Sequence, residues 1–133
     1  MRKFLIATHG SFAGGILSSL ELIAGKIENI FTIEAYSDGN KSFDEQIDKV
    51  LLQTDKTDEL IIFTDLMGGS VTNQIIRSAL RENVFIVSGV NLPLLLDIVL
   101  ADADIPVEEV IETGISNSKN QIVFVNKLIP SND

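Results

Sequence analysis

A doubly wound α/β architecture is predicted, with a mainly parallel sheet and helices on both faces. Three observations predict it. Short continuous apolar runs at residues 4–7, 60–63 and 84–87 read as strands covered on both faces. Segments with apolar residues at helical spacing alternate with those runs. The connections between them are short, which leaves helical crossovers, right-handed by rule, as the way to join parallel strands.

The first run, Phe4-Leu5-Ile6-Ala7, leads into Thr8-His9-Gly10-Ser11, a small polar turn. A helix over 12–24 follows, with Ile16, Leu17, Leu20 and Ile23 on one face and Gly25 placed to cap it. Residues 30–35 alternate like a strand, and Ser37, Asp38, Gly39, Asn40 and Lys41 form a turn. Ser42 and Glu45 have the spacing of a capping box, opening a helix that runs to about Thr54.

Residues 60–64 give the plainest buried strand, ending at Asp65-Leu66-Met67-Gly68-Gly69-Ser70. Ser70 is expected to cap a helix over 71–81. A fourth strand at 84–87 runs into Ser88-Gly89-Val90-Asn91, and Pro93 suits the first turn of a helix reaching Leu100. Pro106 begins another helix, over 107–112, with Gly114 closing it. Ile122-Val123-Phe124-Val125 is read as a last strand. The whole, 1–133, is one domain with a core of about 3–128 and a frayed tail at 129–133.

Composition narrows the function. With 45% hydrophobic and 22% charged residues the chain is an ordinary globular one. There is no cysteine, which excludes disulfides, thiolate metal sites and a cysteine nucleophile. A formal net charge of -9 repels nucleic acid and anionic lipid, so neither is an expected partner. The apolar run after Met1-Arg2-Lys3 is too short for a signal peptide. The apolar stretch at 84–100 is broken by Ser88, Gly89, Asn91, Pro93 and Asp97 and cannot span a bilayer. A soluble, cytoplasmic protein is expected.

Sites in open α/β sheets lie beyond the carboxyl ends of the strands, where the strand order reverses. In a flavodoxin-like order the first and third strands are neighbours at that point. The first ends at His9, the single histidine, and the third at Asp65. A carboxylate on one imidazole nitrogen fixes the tautomer, leaves the other nitrogen free to attack, and stabilises the cation that develops. Gly10, Ser11, Gly68, Gly69 and Ser70 lie before helices, whose N–H groups and dipole favour an anion. Nucleophile, orienting acid and anion cradle together point to phosphoryl transfer through a phosphohistidine. No cofactor or metal is expected. The competing readings are bland ones: Asp65 and the glycines as turn residues, Ser70 as a plain cap, Arg77 and Arg81 as a solvated helix face.

Three stretches together are specific: Ala7-Thr8-His9-Gly10; Thr64-Asp65-Leu66-Met67-Gly68-Gly69-Ser70 with Asn73; and Ser88-Gly89-Val90-Asn91-Leu92-Pro93-Leu94-Leu95. In order and spacing they resemble the mannose-class enzyme IIA domain of the bacterial phosphoenolpyruvate-dependent sugar phosphotransferase system, from about Lys3 to Leu128. The resemblance implies a phosphotransferase component that takes a phosphoryl group from HPr onto Nε2 of His9. It then passes the group to enzyme IIB, which serves the membrane sugar transporter components. Asp65 would lie near Nδ1. It also implies a homodimer in which the last strand, Ile122 to Val125, pairs antiparallel on the partner's sheet. Met67 and Val71 depart from the family's frequent phenylalanine and proline, which touches loop shape rather than the reacting groups. The resemblance covers the length of a IIA domain, so a separate IIA subunit is expected.

The rival readings come from the same fold. One is a non-transport regulatory phosphoprotein, including a receiver-like domain phosphorylated on Asp65. A receiver needs an acidic pair after its first strand, where this chain has Thr8-His9. A flavin module lacks its phosphate loop and stacking aromatics. A Ser70–His9–Asp65 hydrolase lacks Gly-x-Ser-x-Gly.

Overall fold

A computed structural model of the chain describes residues 1–36 and 42–130. The turn expected at Ser37, Asp38, Gly39, Asn40 and Lys41 lies outside the described residues, as do the last three of the expected frayed tail. The elements run β1 (Arg2–His9), α1 (Phe12–Ala24), β2 (Ile30–Ala35), α2 (Phe43–Leu52), β3 (Glu59–Thr64), α3 (Ser70–Ala79), β4 (Val84–Ser88), α4 (Leu92–Val99), α5 (Val107–Lys119) and α6 (Val125–Leu128). The sheet order is β2-β1-β3-β4 and every pairing is parallel.

Alternation along the strands feeds two cores. Phe4, Ile6, Ile61 and Phe63 point to the face covered by α1, α4 and α5, where they meet Leu20, Leu95, Ile98 and Val110. Leu5, Ala7, Leu60 and Ile62 point to the face covered by α2 and α3, against Ile47, Val50, Val71 and Ile75. Both faces are therefore buried, which is why the strands read as unbroken apolar runs. Each large side chain so buried contributes roughly 1.5–3 kcal/mol of transfer free energy.

Side-chain caps set two helix starts. The Ser42 hydroxyl accepts from the Glu45 N–H at 3.1 Å to open α2. Asn91 accepts from the Leu94 N–H at 2.9 Å to open α4, with Pro93 in the first turn.

Four expectations need correction. Ser70 is not the N-cap of α3; Gly69 takes that extended position and Ser70 is the first helical residue. No side-chain cap forms there, and the Ser70 hydroxyl is directed elsewhere. The same helix stops at Ala79 rather than Arg81, because Leu80 turns extended so that the Val84 N–H can reach the Arg81 carbonyl at 3.0 Å on entry to β4. Helix α5 does not close at Gly114 but runs to Lys119. A Cβ at Gly114 would lie 2.8 Å from Ile98 Cγ1, so glycine there allows α4 and α5 to approach. Finally, Ile122–Val125 is not a strand in this chain: residues 122–124 are irregular and Val125 opens the short α6. Among the described residues no strand pairs with this segment, and its side chains are exposed.

Candidate functional site

The parallel register places Ala7 opposite Thr64, so β1 and β3 end together at the carboxyl edge of the sheet. His9, the last residue of β1, and Asp65, the first after β3, are 56 positions apart in sequence and stand at those ends. Asp65 Oδ2 accepts from the His9 backbone N–H at 2.9 Å and lies 2.9 Å from His9 Nδ1. With the carboxylate ionised, this geometry puts the ring proton on Nδ1 and the lone pair on Nε2. Burial works to raise the Asp65 carboxyl, but the His9 N–H and ring outweigh it and hold it below the ordinary carboxylate value. The His9 side chain is 40% exposed and that of Asp65 15%, so the acid is covered and the nucleophile reachable.

Buried threonines hold both residues in place. Thr8 Oγ1 accepts from the Ala13 N–H at 2.8 Å, tying β1 to the first turn of α1. Thr72 Oγ1, in α3, lies 2.7 Å from both Thr64 Oγ1 and the Leu66 carbonyl. That contact folds the loop after β3 back onto the helix that follows it.

The five residues expected to cradle an anion gather at this edge in different ways. Gly10 turns the chain at φ 56, a left-handed conformation that favours glycine, and its N–H donates to the Ala35 carbonyl at 2.8 Å. Ser11 is the N-cap residue of α1. Gly68 has φ 80. The Gly69 N–H donates to the Leu66 carbonyl at 3.1 Å, and its Cα lies so near the ring that an added Cβ would be 3.5 Å from His9 Cε1. Ser70 Oγ stands 3.2 Å from His9 Nε2. The N–H groups of Gly10 and Gly69 are thus engaged within the fold. The N–H groups without an intrahelical partner are those of the first turns of α1 and α3.

Tyr36 joins the site without having been singled out from the sequence. Its hydroxyl donates to Ser70 Oγ at 3.1 Å, and its ring centroid lies 5.8 Å from that of His9. An aromatic residue immediately after β2, at the same sheet edge as His9, is the signal that would have found it. Among the described residues no group of three or more histidine, aspartate or glutamate side chains is arranged to hold a metal ion. No helix among them is long and apolar enough to cross a membrane.

Comparison with known proteins bears on the family and the fold. A family model described as EIIA-man, PTS system fructose IIA component, matches residues 3–115. The PTS system mannose-specific EIIAB component of Escherichia coli K12 is 30% identical over 117 residues, covering 83% of this chain and 36% of the relative. The chain thus spans about a third of the length of the curated relatives it matches. Among solved structures, a phosphoenolpyruvate-dependent sugar phosphotransferase system permease from Klebsiella pneumoniae superposes with a TM-score of 0.90 at 36% identity. That match covers 97% of this chain and 94% of the other. The phosphotransferase system component EIIA from Streptococcus agalactiae gives a TM-score of 0.79 at 30% identity, covering 96% and 99% of the two chains.

Proposed function

The chain belongs to the EIIA-man family of phosphotransferase system IIA components, and on that premise we propose that it carries a phosphoryl group on Nε2 of His9, taken from phospho-HPr and passed to an enzyme IIB. The observation that carries the reading is the 2.9 Å contact between His9 Nδ1 and Asp65, which leaves Nε2 as the unprotonated nitrogen at an exposed edge.

In this mechanism the Nε2 lone pair attacks phosphorus as the donor P–N bond breaks and its electron pair returns to the donor nitrogen. The His9 ring gains positive charge while keeping its Nδ1 proton, and the Asp65 carboxylate stabilises that cation. The reverse sequence delivers the group to the acceptor. Donors for the phosphoryl oxygens come from Ser70 and from the helix ends that Gly10, Ser11, Gly68 and Gly69 shape. A bound cofactor has no step in this scheme.

The same reading makes HPr, an enzyme IIB and the membrane transporter components the partners, with the cytoplasm as the place where they meet. We further propose a homodimer in which residues 122–125 add antiparallel to the sheet of a second copy. The exposed Ile122, Phe124, Leu128 and Ile129 and the edge position of β4 support it.

Incubation with phosphoenolpyruvate, enzyme I and HPr is expected to label the wild-type chain with an acid-labile, base-stable phosphate and to leave His9→Ala unlabelled. Label persisting on the variant would overturn the mechanism, and a hydroxylamine-sensitive label would assign the phosphate to Asp65. The order Ser70–His9–Asp65 also matches a hydrolytic triad. Turnover of a simple ester, lost in Ser70→Ala, would favour that second reading.

A further inference from the structure

The phenol of Tyr36 is exposed, yet it is aimed into the site. Its backbone sits at φ 66, which is rare for a residue with a bulky side chain and persists only where its surroundings hold it. The conformation brings the ring beside the His9 imidazole and the hydroxyl to Ser70. The polar groups then form one line: Tyr36 Oη to Ser70 Oγ at 3.1 Å, Ser70 Oγ to His9 Nε2 at 3.2 Å, and His9 Nδ1 to Asp65 Oδ2 at 2.9 Å.

The proton count gives this line a direction. Asp65 accepts, so Nδ1 donates and Nε2 has only a lone pair. A serine hydroxyl has one proton and two acceptor positions. When Tyr36 donates to Ser70 Oγ, it takes an acceptor position and leaves the serine proton to face Nε2. Once a phosphoryl group stands on Nε2, the same proton faces a phosphoryl oxygen.

We propose that Tyr36 is a positioning residue, acting through Ser70: its phenol orients the serine hydroxyl toward the reacting nitrogen of His9 and, after transfer, toward the phosphoryl group. The kinetic part of this inference rests on the phosphohistidine reading above; the orientation of Ser70 in the unmodified protein does not. During transfer the new bond is N–P at Nε2, the donor P–N bond breaks, and the serine keeps its proton throughout. The Ser70 hydrogen bond moves from nitrogen to oxygen as the lone pair it faced is consumed. A hydroxyl already pointed there spares the reorientation.

The test is a double-mutant cycle with Tyr36→Phe and Ser70→Ala, with two readouts on each protein. The first is the ¹⁵N chemical shift of His9 Nε2 in the unphosphorylated chain. It is expected to move in Tyr36→Phe and in Ser70→Ala, and to be the same in Ser70→Ala and the double variant. The second is single-turnover transfer from phospho-HPr, expected to slow about fivefold in Tyr36→Phe and to show no added effect of Tyr36→Phe in the Ser70→Ala background. Equal slowing by Tyr36→Phe in both backgrounds would overturn the inference, because the tyrosine would then act without the serine. So would an unchanged Nε2 shift in Tyr36→Phe. Absence of any label on wild-type His9 would overturn the phosphohistidine reading instead, while the shift measurements would still decide the orientation of Ser70. Exposure of the ring makes folding of Tyr36→Phe expected, and a thermal melt matching wild type confirms that the comparison is between folded proteins.

Discussion

One oxygen of Asp65 serves His9 twice, taking the backbone N–H and approaching Nδ1 at the same 2.9 Å. The carboxylate therefore fixes both where the ring stands and which nitrogen carries the proton. Asp65→Asn retains the size but not the charge, and its amide has a donor side that disfavours the Nδ1–H tautomer. We expect a folded protein that still binds HPr, with single-turnover transfer slowed by roughly tenfold or more, about 1.4 kcal/mol in the barrier. Rapid-quench rates equal to wild type in both directions would reduce Asp65 to a turn residue.

Asp58 works at the opposite end of the sheet. It accepts from the Asp55 N–H at 2.9 Å and lies 3.1 Å from Lys3 Nζ. The Asp55 N–H first, then Lys3, lower its carboxyl from 3.8 to about 2, against the opposing effect of burial. A depressed carboxyl stabilises the fold above its unfolded value, and that stability is lost as pH falls through the folded one. Asp58→Asn is therefore expected to be less stable than wild type at neutral pH. The gap should close as pH falls from 3.8 toward about 2. Denaturant melts across that range check it; a gap unchanged at the acid end would detach the effect from ionisation.

Gly114 tests the contact between α4 and α5. Alanine there improves helix propensity by about 1 kcal/mol, but its Cβ would stand 2.8 Å from Cγ1 of the fully buried Ile98. Overpacking of that kind costs roughly 1–3 kcal/mol. A net loss of stability is expected, read as a lower urea midpoint at unchanged slope. A midpoint at or above wild type would mean the two helices part without cost.

Removal of residues 121–133 tests the proposed exchange between two copies. The intact chain should have the mass of a dimer by light scattering. The shortened one should be monomeric or insoluble, because a sheet edge and the apolar surface beside it lose their cover. A soluble truncation with an unchanged dimer mass would contradict the exchange.

The sheet is legible in the sequence because burial on both faces makes strands apolar throughout, and the encounter of His9 with Asp65 follows from the positions of two strand ends in one topology. What escapes sequence reading depends on contacts between distant residues. Gly114 resembles a helix terminator until Ile98 is seen packed against it. Ser70 resembles a cap, since whether it or Gly69 takes the extended position turns on a backbone geometry that composition does not encode. Tyr36 follows β2 at the sheet edge that carries His9, but the positive φ that accompanies its hydroxyl's approach to Ser70 is not written in the residue type. Residues 122–125 have the composition of a strand but pair with no strand among the described residues.

Thr8 and Thr64, both fully buried, stand immediately before His9 and Asp65 and tie the strand ends to the helices that follow. The imidazole and carboxylate thus inherit their spacing from the sheet, independently of whatever molecule docks above them. On the proposed reading, a shuttle that alternates between two unlike visitors gains from that independence, since neither has to rebuild the centre on arrival. Direction of flow then resides in how each visitor prefers the loaded or the empty form. The rim, where Leu66 and Met67 are exposed, is free to diverge with the visitors while the centre beneath keeps its shape.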